Sequence, residues 1–259
     1  MSNTYEVLNH ELLSVNSWVV ANGLALNSDK TFYMLFAGKK SINPIHCLKL
    51  ADKTVVRTNE FKFLGVVLDD ALSWRSQANA AANRVSRFLG IFGKIRNNLT
   101  LEASKLIYYS FIQSILTNGV IFWQAAPKRI TDRVSRLNKR AIRIVTLSPR
   151  LAHSEPLFKK CNILKFEDMC SLETAKFIHR DILFGNHLEL ETHSVQHNYP
   201  TRNRNNLVRA QTRTRVAYKF ITSSGVSLYN NIPDFCKDCD DVPKFKIVYK
   251  KYLLDSYSL

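Results

Sequence analysis

The sequence predicts an α+β protein that is mainly helical, with a small antiparallel sheet in its first quarter and helices behind it. Three observations carry this. Between residues 32 and 68, four short apolar runs are separated by turn-prone residues. From Ser73 onward the apolar spacing changes to three and four and stays there. Of the 259 residues 46% are apolar, which is ample for a packed core at this length.

The first element is a helix over residues 5–22, with Val7, Leu8, Leu12, Val15, Trp18 and Val19 on an apolar face. It stops at Asn22-Gly23, where a tight turn follows. The strand-like runs are Phe32–Ala37, Ile45–Leu50, Lys53–Arg57 and Phe61–Leu68. Gly38, Asn43-Pro44, Asp52 and Asn59 mark the turns between them. Together they read as the edge of an antiparallel sheet carrying one helix.

Val85, Phe88, Leu89, Phe92, Ile95 and Leu99 then mark an amphipathic helix. Glu102 to Trp123 is apolar nearly all round and predicts a helix buried on most sides. Pro127 opens a third helix at a favourable first-turn position, with Ile130, Val134, Leu137, Ala141 and Ile144 as its stripe. A fourth helical region, Lys165–Phe184, follows Pro149 and Pro156. Residues 185–206 read as a loop or flexible segment. A turn at Tyr229-Asn230-Asn231-Ile232-Pro233 precedes a closing helix from Pro243 to Tyr257. No internal repeat is visible.

The 37 Lys and Arg against 21 Asp and Glu leave a net charge of +16. Such an excess points to polyanions, either nucleic acid or an anionic membrane surface. No run of eighteen apolar residues offers a membrane span, and the first residues lack the features of a signal peptide. Five scattered cysteines fit reduced thiols. The expected location is therefore nuclear or cytoplasmic, not secreted and not membrane-bound.

The charge is clustered. Arg129, Arg133, Arg136, Arg140 and Arg143 follow a 4-3-4-3 spacing, one residue before each member of the third helix's apolar stripe. They form one ridge roughly 100° from that stripe, and the ridge itself contains no acid. Arginine suits bidentate phosphate contacts. The competing reading is a solvated face, or pairing with an acidic surface of the same chain. A second stretch, Arg202, Arg204, Arg209, Arg213, Arg215 and Lys219, is acid-free and interleaved with Tyr199 and Tyr218. That mixture suits RNA, and equally a basic linker.

Other constellations carry less. Asp69-Asp70 is the one adjacent acidic pair near the sheet, but the helix that follows makes it read as a strand end with helix N-terminal caps. Cys236-Lys-Asp-Cys239 is a single Cys-x2-Cys, and His187, His193 and His197 lie far upstream in no regular pattern, so no metal site is expected.

Two segments give the chain a resemblance. Trp18 to Thr31, with Asn22-Gly23-Leu24, Leu26-Asn27 and Lys30-Thr31, resembles motif D of the reverse transcriptases of non-LTR (LINE, jockey-like) retrotransposons. Phe61-Lys62-Phe63-Leu64-Gly65-Val66-Val67-Leu68-Asp69 resembles the primer-grip region that follows it. Leu72-Ser73-Trp74 matches the start of that family's thumb. Looser matches continue at Thr201-Arg202, Gly225, Tyr229 to Pro233 and Phe245-Lys246, where the family more often has Trp than Tyr229.

The resemblance implies a division into 1–72, the C-terminal part of the palm; 73–150, a helical thumb; and 151–259, a helical linker and C-terminal region. It implies RNA-directed DNA synthesis with magnesium in the intact enzyme, with Lys30 as a catalytic general acid toward the leaving pyrophosphate. Phe61, Leu64 and Gly65 would be the primer grip, and the partner an RNA template, a DNA primer or their hybrid. The family's metal-binding aspartates precede motif D, upstream of these residues. This chain is therefore expected to bind nucleic acid, to hold no metal or other cofactor, and to lack polymerase activity on its own. The alternative is a domesticated or relic nucleic-acid-binding protein with no enzymatic role.

Overall fold

In the computed structural model, residues 2–36, 47–50, 53–185, 188–192, 206–218 and 220–257 are described. The chain divides into two compact units, Met1–Ser73 and Trp74–Leu259. The first combines one long helix with the strands and the second is built of helices among its described elements, which together make the chain mainly helical α+β.

In the first unit, helix α1 spans Ser2–Ala21. It closes with a Schellman turn: Gly23 has φ +68°, its N–H donates to Val20 O, and Leu24 N–H donates to Val19 O. The stripe that α1 turns inward is Tyr5, Asn9, Leu12, Asn16 and Val19. This corrects the predicted face, because Val7, Leu8, Val15 and Trp18 are exposed. Asn9 explains the shift. Its amide donates to Cys47 O and accepts from Lys49 N–H, clamping the helix to strand β2 (Leu48–Leu50). Tyr5, Leu48, Leu50 and Val55 form the small core beneath.

The sheet is mixed rather than antiparallel. β3 (Lys53–Arg57) lies between its neighbours; β2 pairs with it antiparallel and β1 (Phe32–Tyr33) pairs with it parallel. Parallel pairing sets Phe32 opposite Val56, a register between distant segments that local patterning does not encode. The run read as one strand, Phe61–Leu68, is a hairpin of β4 (Glu60–Phe63) and β5 (Val66–Asp69). Its two-residue loop has φ +46° at Leu64 and +87° at Gly65, the positive pair that a primed turn needs. Ala37, Ile45 and His46 lie outside the described residues.

The second unit begins with α2 (Arg75–Ile95). The stretch expected to form one helix to Trp123 is instead α3 (Leu101–Ile107), a π-helical turn (Tyr108–Gln113) and α4 (Ser114–Thr117). The helix then breaks at extended Asn118 and left-handed Gly119 (φ +64°), and α5 (Val120–Trp123) starts afresh. Nor is the stretch buried all round, since Leu106, Phe111 and Phe122 are exposed.

α6 (Lys128–Val145) matches expectation. α7 (Ser154–Cys161) was not foreseen; Pro156 is tolerated because it sits in the first turn. α8 (Phe166–Phe184), α9 (Arg215–Tyr218), a π turn (Ile221–Gly225), α10 (Val226–Asn230), α11 (Asp234–Lys237) and α12 (Val242–Asp255) complete the described elements.

One continuous core runs from α2 to α12, with Trp123 stacked on Phe166 at 5.4 Å. Several of its buried polar groups find partners within it, though Ser223 Oγ has none among the described residues. Tyr108 O–H donates to Asn138 Oδ1 at 2.7 Å, and Asn138 donates to Leu164 O. His179 stacks on Phe245 at 4.2 Å, and its Nε2–H donates to Cys239 O while Nδ1 accepts from Tyr229 O–H. Asn230 pairs through both ends of its amide with the backbone of Leu207 at 2.9 Å, fixing the segment beside α10.

Candidate nucleic-acid interface

The interface begins with how α6 is seated. Its buried residues are Val134, Ser135, Asn138, Ala141, Ile142, Ile144 and Val145. The predicted stripe is therefore only one edge of the buried arc, with Ile130 and Leu137 half-buried. The arginine ridge consequently lies roughly 160° from the buried centre, more squarely on the solvent side than the sequence suggests. Arg129, Arg136 and Arg140 are exposed, while Arg133 and Arg143 are half-buried at its two borders.

The two border arginines are anchored. Arg143 Nε donates to Ala152 O at 2.7 Å. Arg133 Nη2 donates to Asn83 Oδ1 of α2 at 2.6 Å. A second contact fixes the direction of α2: the Cβ position of Gly93 lies 4.0 Å from Ile144 Cδ1. Asn83 meets Arg133, and ten residues on Gly93 meets Ile144, so α2 and α6 run parallel with a register offset of about fifty residues. The side of α2 that these contacts define carries Ala82, Ser86 and Gly93, small enough for close approach.

Just outside this seam, α2 exposes Arg87 and Lys94. These residues escape a reading of α6 alone. Their signal was in the sequence nonetheless: residues 71–101 contain no acid. The result is a basic surface two helices wide, with Arg87 and Lys94 on one side of the Asn83–Arg133 bond and Arg129, Arg136 and Arg140 on the other. Asp132, exposed beside the ridge, is its one acid. None of these cations is in an ion pair among the described residues.

The remaining site residues are spread out. Lys30 ends a short 3-10 turn (Ser28–Lys30) built around Asn27, whose side chain accepts from the N–H groups of Asp29 and Lys30. Lys30 itself is exposed. Phe61 sits on β4 and packs near Phe32 at 6.1 Å, while Leu64 and Gly65 form the tip of the hairpin. Leu64 is 84% exposed. Gly65 thus has a turn to make, which accounts for it without a ligand.

Arg202 and Arg204 lie outside the described residues, as do Tyr199 and Lys219. From the same stretch, Arg209 lies over the Tyr218 ring at 5.9 Å. Cys236 and Cys239 are both buried in the core.

Asp69 ends β5 and is buried, its Oδ1 accepting from Ser73 N–H at 2.8 Å. α2 starts two residues after Ser73, from left-handed Trp74. A two-ion magnesium centre needs converging carboxylates. Among the described residues no group of three or more acidic, histidine or cysteine side chains could hold a metal ion. No helix among the described residues is long and apolar enough to cross a membrane.

Comparison with known proteins adds a relation. The chain is 24% identical over 177 residues to a Drosophila melanogaster protein named "Probable RNA-directed DNA polymerase from transposon BS". The match covers 67% of this chain and 19% of the fly protein, so the chain spans about a fifth of that relative. No family model matches the chain, and no solved structure matches it. Over two thirds of its length the chain is thus similar to a protein named as a probable transposon RNA-directed DNA polymerase, that is, a reverse transcriptase.

Proposed function

We propose that this chain is the part of a non-LTR-type reverse transcriptase that grips the primer–template, and that it polymerises nothing by itself. The observation that carries the reading is the basic surface across the α2/α6 seam. Its cations are exposed, nearly acid-free and in no ion pair among the described residues, and the seam fixes their direction. Same-sign charges held together on a rigid surface repel one another until a polyanion neutralises them. Two parallel helices presenting cations on either side of a seam suit a run of backbone phosphates. The Lys30 and hairpin residues belong to this reading only as parts of a larger enzyme, since no group of three His, Cys, Asp or Glu side chains among the described residues could hold the metal ions.

The test is fluorescence anisotropy with a primer–template hybrid over a range of salt. Each phosphate neutralised adds about 0.9 to the slope of log affinity against log salt. Replacing Arg129, Arg136 and Arg140 by Gln is expected to flatten the slope by about two to three units, and Arg87→Gln with Lys94→Gln by up to about two. An unchanged slope in folded variants would move the binding face elsewhere. Primer extension by the purified chain with magnesium would overturn the inactive reading.

A further inference from the structure

We propose that the cleft between the π-helical turn Tyr108–Gln113 and α12 binds a phosphate-class oxyanion, held by the ammonium groups of Lys246 and Lys250. The cleft has a volume of about 210 Å³. Ile163, Leu164, Met169 and Leu172 give it an apolar floor, Gln113 and Tyr109 one wall, and the two lysines the other. Lys246 and Lys250 are four residues apart on α12 and so lie on one side of it, an arrangement of like charges that weakens a helix.

What the cleft lacks is a counter-charge paired with its two lysines. Lys250 is half-buried and makes no hydrogen bond or ion pair among the described residues, and the same holds for the Gln113 side-chain amide. Glu173 lines the cleft, but its carboxylate is held by Lys176 at 2.8 Å. Burial, and then the charges of Lys246 and Lys105, push the Lys250 pKa down. An oxyanion seated there would accept from both ammonium groups and from the Gln113 amide, and would replace repulsion with attraction. The cleft uses none of the residues of the α2/α6 surface, so it stands or falls separately from the proposed function.

The experiment titrates the full chain with inorganic phosphate, following the lysine ammonium groups by NMR and affinity by calorimetry. Saturable binding that raises the Lys250 pKa is expected. Lys250→Met and Lys246→Gln should each weaken it at least about tenfold, the loss of one charge-assisted contact, while Lys251→Gln, exposed on the same helix and outside the lining, leaves it unchanged. Lys246 is exposed, so Lys246→Gln tests the site without disturbing the core. Oligonucleotide competitors identify the source. Competition only by a 5′-phosphorylated strand points to a strand end, competition also by its 5′-hydroxyl counterpart points to internal phosphodiesters, and competition by neither points to free phosphate. Absence of saturable binding, or binding unchanged in folded Lys246→Gln, overturns the proposal.

Discussion

The unit from Trp74 to Leu259 draws Trp123, Tyr108, Phe92, Phe158 and Phe245 into one fully buried core. The unit from Met1 to Ser73 gathers Tyr5, Leu48, Leu50 and Val55, and leaves Leu13, Val15, Trp18 and Val20 of α1 in solvent. Phe36, Phe63 and Leu64 are likewise exposed. The difference is not one of composition, since both units are rich in apolar side chains. It lies in how many large side chains each unit's own core takes in. The second unit gathers its largest rings in one core, though Leu106, Phe111 and Phe122 stay exposed, whereas α1 has two apolar faces and one small sheet to set them against.

The sharpest way to break this comparison is to truncate a tryptophan in each unit. Trp123→Ala removes a fully buried ring stacked on Phe166 and is expected to cost about 3–5 kcal/mol in denaturant unfolding. Trp18→Ala, at a side chain 64% exposed, should change stability by no more than about 0.5 kcal/mol. Similar losses at the two sites would remove the distinction.

Gly225→Ala probes the tightness of the second core. An added Cβ would lie 2.8 Å from Ile221 Cγ1, 3.1 Å from Ile178 Cδ1 and 3.2 Å from Thr174 Cγ2, with an expected cost of about 1–3 kcal/mol. A neutral result would mean that the π turn yields easily.

A pH series gives a subtler test. Burial lowers the pKa of His179, opposed in part by its bond to Cys239 O and by the charge of Asp241. The folded protein thus binds its proton less readily than the unfolded chain. The stability this represents is present above the unfolded value of about 6.5 and lost as pH falls through the lowered folded value. Unfolding midpoints measured from about pH 8 down to about pH 5 should show the loss, and His179→Gln should flatten it.

The smallest effect belongs to the first unit. Leu64 holds φ +46° without the side chain that tolerates it, so Leu64→Asn is expected to stabilise the hairpin by up to about 1 kcal/mol. Slower amide exchange across β4 and β5 would register it.

What could be read from the sequence was whatever depends on near neighbours. The arginine ridge and the start of α6 at Pro127 follow from signals within one helix, and so does the stop at Gly23. The Leu64-Gly65 turn escaped because it lacks the Asn-Gly signal, and alternation on both sides ran together into one apparent strand. Asn118-Gly119 carries a break signal that the apolar residues around it masked. The inward face of α1 was misjudged because Asn9, a polar residue, is what ties the helix to the sheet. The α2 half of the basic surface needs a register between segments some fifty residues apart, which periodicity cannot supply. The parallel β1–β3 pair escaped for the same reason.

That fifty-residue offset has a kinetic consequence. Parallel neighbours cannot be joined by a short hairpin, so the chain must travel through α3, α4 and α5 before α6 can lie beside α2. The basic surface is therefore a product of high-contact-order assembly, which is slow because loop entropy is lost before the contacts form. During synthesis, α2 emerges first with its cations beside an unfilled groove, and the surface is completed only once α6 docks. A polyanion that recognises the completed pair binds the native state alone, so it should raise the melting temperature increasingly as its concentration exceeds its dissociation constant.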